Sequence, residues 1–172
     1  LEKAGSEKGF EVERAQTLEF EGERISSSRV RESLANGDFE LAKALMGRPY
    51  SIMGRVVYGR QLGRQLGVPT ANVRLQRYRS ALEGVYSVSV DGLDVGRKNG
   101  IANIGIRPTV GGKEPLLEVH LFDFSGDIYG HLISVTFHQK IRDEQQFASI
   151  ELLKAQIEKD IVQSQDWFLS NA

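Results

Sequence analysis

Hydrophobic and polar positions alternate through the middle of the chain. Tyr50, Ile52, Gly54, Val56 and Tyr58 interleave with Ser51, Met53, Arg55 and Val57, the period-two pattern of a strand with one apolar and one mixed face. The same signal predicts strands at 85–90, 100–104, 116–124 and 133–141, with Asp91-Gly92 marking a hairpin. No helical period separates them, so the pattern predicts an antiparallel barrel or sandwich rather than a βαβ fold. The period changes at both flanks. Residues 25–47 read as two short helices: Ser27 or Ser28 caps the first, Asp38 caps the second, Leu41 and Leu45 lie one turn apart, and Gly47 is the stop. Phe147, Ile150, Leu153, Ile157 and Ile161 recur every three or four residues, predicting a final amphipathic helix with Asp143 as its N-cap and Trp167 and Phe168 as anchors. Residues 1–24 are Glu-rich, weakly strand-like at 9–13 and 17–20, and are expected to be loosely ordered.

Composition narrows the chemistry. At 172 residues the chain can build one good core, or one domain and part of another. It has no cysteine, which excludes a disulfide scaffold, a thiolate zinc site and a cysteine nucleophile. Its three histidines, His120, His131 and His138, share no ligand spacing within one element and receive no role. No apolar run approaches the ~20 residues of a membrane span, so the expectation is a soluble, cytoplasmic protein. The net charge of −1 hides an asymmetry: residues 1–47 carry 7 basic and 10 acidic side chains, 48–113 carry 11 and 3, and 114–172 carry 4 and 10. A basic middle third suits a polyanion, either a nucleotide triphosphate or a nucleic acid. The competing reading is a solvated basic face balanced by the acidic last third.

Segment 59–72 is the most informative. Gly59, Gly63 and Gly67 are spaced four apart, which fits a backbone cradle for phosphate oxygens or a long hairpin loop, and Arg60 and Arg64 add charge. Pro69-Thr70-Ala71-Asn72 offers a hydroxyl and an amide oxygen two residues apart, hard donors that suit Mg²⁺ and that also occur in turns. Residues 103–109, from Asn103 to Thr109, form a second polar turn candidate. Glu118 lies within a strand, sharing a face with His120 and Phe122 while Leu117, Val119 and Leu121 share the other. There it is either a general base facing a cleft or a solvent-facing carboxylate. Arg142 and Glu144 precede the last helix and either reach a ligand or complement the helix dipole.

In order, these segments resemble one family. Arg48-Pro49-Tyr50, the run from Gly63 to Asn72, Gly84-Val85-Tyr86, Asn103-Ile104-Gly105 with Arg107-Pro108-Thr109, Leu117-Glu118-Val119-His120, the run from Asp123 to Gly130, and Arg142-Asp143-Glu144 with Phe147 are similar to the bacterial bifunctional riboflavin kinase/FMN adenylyltransferases. The resemblance spans nearly all of 25–160. It implies a mainly β fold, a six-stranded antiparallel Greek-key barrel with a C-terminal helix, over 48–172. Residues 1–47 would be the helical C-terminal stub of the nucleotidyltransferase domain, so that the chain is read as a C-terminal piece normally fused to that domain. It implies Mg²⁺ and ATP phosphates at Thr70 and Asn72, a nucleotide-covering loop with Gly63 and Gly67, and Glu118 as the base for the riboflavin 5′-hydroxyl. Asn103, Arg142 and Glu144 would be binding residues, the last two toward the flavin.

The implied reaction is ATP and riboflavin to ADP and FMN. FAD formation is not expected, because the family's His-x-Gly-His motif is absent and all three histidines follow residue 119. Ser26-Ser27-Ser28-x-x-Arg31 stands where that family carries Ser-Ser-Thr-x-x-Arg. Neither a nucleic acid nor a membrane is an expected partner. Two rival readings are a flavin- or nucleotide-binding module without catalysis, and a nucleic-acid barrel stacking bases on Tyr58 and Tyr78.

Overall fold

The structure, a computed structural model, describes residues 1–13, 16–59, 63, 67–75, 80–109 and 112–171. Six strands close a barrel: β3 (Ser51–Val57), β4 (Ala71–Arg74), β5 (Gly84–Asp91), β6 (Lys98–Thr109), β7 (Gly112–Leu121) and β8 (Leu132–Arg142), in the order β3-β4-β7-β6-β5-β8. Every pairing is antiparallel, and the jumps from β4 to β7 and from β5 to β8 give the expected Greek-key path. Ile52, Val56, Val73, Val88, Val90, Leu117, Val119, Val135 and Phe137 alternate inward and fill the barrel.

Ahead of the barrel lie α1 (Glu2–Lys8), a minimal ribbon of β1 (Glu19–Phe20) and β2 (Glu23–Arg24), and the helices α2 (Ser27–Ala35) and α3 (Phe39–Met46). Ser26 caps α2, one residue before the expected caps, with its Oγ accepting from the Arg29 amide at 3.2 Å. Asp38 caps α3 as expected, and Gly47 ends it at φ 70°. These helices share the barrel's core: Leu34, Phe39 and Ala42 are buried with the strand residues. Phe39 meets Tyr86 edge-on at 5.8 Å and stacks on Phe137 at 6.4 Å. The expected strand at 9–13 is absent: the segment is irregular, and α1 just before it buries only Gly5.

The last helix, α4 (Ile150–Ser170), crosses the outside of the barrel over β5, β6 and β8. Its N-cap is Ser149, whose Oγ accepts from the Leu152 amide at 3.3 Å, and not Asp143. The segment 143–149 is non-helical, and Asp143 pairs with Lys140 instead at 2.6 Å. Phe147 therefore belongs to this connector, where the Arg142 guanidinium lies over its ring at 5.6 Å. Beneath the end of α4, His138 stacks on Trp167 at 5.3 Å, meets Phe168 edge-on at 5.7 Å and hydrogen-bonds Ser89 at 2.9 Å.

Two outcomes follow from this packing. Phe39→Ala should cost about 3–5 kcal/mol, measured by urea denaturation, because it removes a ring shared between α3 and the barrel. Burial holds the His138 imidazole below its usual pKa of 6.5, reinforced by Arg97 and opposed by Glu40. The unfolded chain then binds the extra proton first, so stability is full above a pH of about 6.5 and falls as pH drops from there toward the lower folded value. Thermal midpoints compared at pH values of about 5 and about 7.5 should show the loss, and His138→Gln should flatten it.

Candidate functional site

Register on β7 assembles the site. Leu117 pairs with Val73 on one side and Ile104 on the other, and all three are buried inside the barrel. One residue on, Glu118 pairs with Asn72 and Asn103, so these three side chains point outward together. The row continues on both flanks, with Val57 opposite Asn72, Val85 opposite Asn103, and Arg142 opposite Val85. With strands about 4.8 Å apart, Asn72 and Asn103 flank Glu118 across roughly 10 Å of outer wall. Arg142 reaches the row because β8 carries two irregularities: the partners of Val85 and Tyr86 jump from Arg142 to Lys140, and those of Ser87 and Val88 from Gln139 to Phe137.

Glycine backbone covers the β4 end of this row. A Cβ at Gly59 would overlap the Asn72 amide, and one at Gly63 would overlap the Val68 carbonyl and crowd the Thr70 side chain. The Val68 amide donates to the Gly63 carbonyl at 2.8 Å, and Gly67 has φ 79°. Gly63 is thus tied to the Thr70 segment by geometry, whereas Gly67 contributes only its left-handed backbone. Arg60, Arg64, Arg77, Tyr78 and Arg79 lie outside the described residues. Tyr58 stacks on Tyr129 at 3.8 Å. Thr70 itself stands on the rim of a cleft of about 440 Å³ at the barrel mouth, walled by Val56, Ala71, Val119 and Leu121 and by the loop at 124–129.

Asn103 is in mid-strand, not in a turn: β6 continues through Arg107 and Pro108 to Thr109, pairing residue for residue with β7. Its Oδ1 is buried and has no hydrogen-bond partner among the described residues. Such an atom carries a desolvation cost that a bound donor would remove. Arg142 is engaged. Its Nε donates to Asp160 Oδ2 at 2.8 Å and its Nη1 to the Asp143 carbonyl at 2.9 Å, while Gln156 Nε2 donates to Asp160 Oδ1 at 2.8 Å. The Glu144 carboxylate lies against Gly105, two positions along β6 from Asn103, where a Cβ would leave it no room. Glu144 also borders a second cleft with Leu82, Glu83, Lys140 and Asp143.

The structure therefore brings Asn72, Glu118, Asn103 and Arg142 into one row, with Thr70 and Gly63 at one flank and Glu144 at the other. Two residues escaped sequence reasoning. Asp160 had a readable signal, being an acid on the buried stripe of α4 beside Ile157 and Ile161. His120 had none, because its partner is a backbone carbonyl: its Nδ1 lies 2.8 Å from the Pro69 oxygen. Among the described residues no three His, Asp or Glu side chains gather as a metal-binding group, and no helix is long and apolar enough to cross a membrane.

The family described as Flavokinase, riboflavin kinase, matches residues 46–168. The chain is 56% identical over 162 residues to the bifunctional riboflavin kinase/FMN adenylyltransferase of Pseudomonas fluorescens, covering 94% of this chain and 52% of that protein. It is 50% identical over 168 residues to the namesake from Escherichia coli K12, covering 98% and 54%. The chain spans about half the length of these curated relatives. A solved structure titled a macrolide-efflux protein from Streptococcus pneumoniae superposes with a TM-score of 0.73 at 36% identity, covering 84% of this chain and 47% of that one.

The Arg142–Asp160 pair is buried at the carboxylate and partly buried at the guanidinium, with 3% and 16% of the two side chains exposed. Asp160→Ala should therefore destabilise the protein by about 2–4 kcal/mol, since it leaves a partly buried cation without its carboxylate. Chemical denaturation checks this, and a loss below about 1 kcal/mol would mean that solvent already screens the pair.

Proposed function

Since this chain belongs to the riboflavin kinase family, we propose that it transfers the γ-phosphoryl group of ATP to the riboflavin 5′-hydroxyl, giving FMN and ADP. The observation that carries the reading is the outward row in which Glu118 stands between Asn72 and Asn103. A base for phosphoryl transfer must lie between its two substrates, and here it separates the Thr70 flank from the Arg142 and Glu144 flank. In this reading ATP occupies the cleft at the barrel mouth, with its phosphates running over Thr70 and Asn72 beneath the glycine backbone. The flavin lies toward Arg142 and Glu144. Asn103 Oδ1 gains the donor it lacks when substrate arrives.

Mg²⁺ suits this donor set. Thr70 and Asn72 offer neutral hard oxygens two residues apart, and a cation that keeps most of its shell from phosphate and water needs few protein ligands. When bound there it would neutralise phosphate charge. The protein's own contribution is positional and basic. Glu118 accepts the hydroxyl proton as the 5′-oxygen bonds to the γ-phosphorus, and the bond from that phosphorus to the bridging oxygen breaks to release ADP. Residues 1–47 are, in the same reading, the end of an adenylyltransferase domain fused upstream, although α2 and α3 complete the barrel's core. This chain alone makes no FAD, for lack of a His-x-Gly-His motif.

Chromatography of flavins formed from riboflavin, Mg²⁺ and ATP should show FMN and no FAD. Glu118→Gln should lower kcat by about 100- to 1,000-fold with little change in nucleotide affinity; turnover near that of the unaltered protein would remove Glu118 as the base. Thr70→Ala and Asn72→Ala should raise the Mg²⁺ and ATP concentrations needed for half-maximal rate, and an unchanged requirement in both would refute their role.

A further inference from the structure

We propose that His120 is a positioning residue for the nucleotide flank, holding Pro69, and through it Thr70, against β7. The inference rests on the kinase reading for its functional consequence but on geometry for the tether itself. The β4–β7 ladder pairs Val73 with Leu117, Asn72 with Glu118 and Ala71 with Val119, and stops there. Thr70 stands just beyond the last rung, and Pro69 has no N–H with which to extend the pairing. A side chain makes the next connection instead, His120 Nδ1 to the Pro69 carbonyl oxygen at 2.8 Å. A carbonyl can only accept, so the imidazole carries its proton on Nδ1, and the bond is available to both the neutral ring and the imidazolium.

The ring is itself held. His120 meets Phe122 edge-on at 6.0 Å, and Phe122 is buried with Val85 and Ile101 in the second hydrophobic cluster. His120 lies two residues from Glu118 on the same outward face, a spacing of about 7 Å along the strand. One strand thus carries both the base and the tether for the segment that bears Thr70, so that movement of β7 carries the base and the nucleotide flank together. The tether acts on nucleotide placement and leaves the flavin flank, which is built from β6, β8 and the connector at 143–149, untouched.

The test compares His120→Ala with His120→Asn, since the Asn side-chain amide can donate at a similar reach. In steady-state kinetics His120→Ala should raise KM for Mg-ATP by about 3- to 10-fold, with KM for riboflavin unchanged and kcat little altered. His120→Asn should restore most of the affinity. Hydrogen exchange across 67–75 should quicken in His120→Ala and not in His120→Asn. An unchanged KM for Mg-ATP in His120→Ala, equal rises in both variants, or a matching rise in KM for riboflavin would overturn the positioning role. If the unaltered protein forms no FMN, the kinase reading fails by itself. The tether is then decided by exchange alone, and unaltered exchange across 67–75 in His120→Ala overturns it.

Discussion

The register of β7 between β4 and β6 is the constraint on which the rest of the molecule depends. Both faces of this strand are committed. Leu117, Val119 and Leu121 fill the barrel, and the intervening Glu118 and His120 face outward. A slip of one residue would exchange the two sets, burying a carboxylate and an imidazole and exposing three apolar side chains. Two neighbouring ladders and the core therefore all oppose such a slip. Closure through β3 and β8 completes the arrangement, because it removes the free edges along which strands could slide. The chemistry of the outer wall is placed by the same hydrophobic packing that makes the barrel stable.

Much of this was legible in the residues, and the misses have local causes. The five strands long enough to show alternation were visible. β4 was not, because four residues, Ala71 to Arg74, cannot establish a period and were read for their oxygen atoms. β6 was cut short at Ile104 because Gly105 and Pro108 are punctuation in isolation, whereas pairing with β7 carries the strand through both. Asp143 has the chemistry of a cap but stands next to β8, and the helix waits for Ser149. The resemblance named the members of the outward row, but their alignment in one row was out of reach of periodicity and spacing. Asn72, Asn103, Glu118 and Arg142 are scattered over 71 positions, and only non-local strand pairing makes them neighbours.

The α4 helix has a double function in this account. Its apolar stripe covers the outer faces of β5, β6 and β8, sealing a cluster of Val85, Ile101 and, just past the end of β7, Phe122. The same stripe delivers Asp160 to Arg142, and Arg142 in turn holds the Asp143 carbonyl at the start of the connector. Glu144, the next residue, rests against Gly105. A hydrophobic contact made to seal the barrel thus also sets where the connector leaves the wall, and with it the position of a flank of the site.

The two flanks are held by different physics. On the side of Arg142 and Glu144, an ion pair buried beneath a helix fixes the backbone, and its desolvation makes it intolerant of losing either partner. On the side of Thr70 the elements are lighter: a four-residue strand, glycine backbone pressed on Asn72 and Thr70, and the imidazole bond to Pro69 where the ladder has run out. A segment held by few contacts opens locally at low free-energy cost. That difference suits the proposed role of this flank, where a charged nucleotide would enter and its product leave. In the proposed reaction the opposite wall, fixed by burial, needs only to stay in place while Glu118 acts as base between the two flanks.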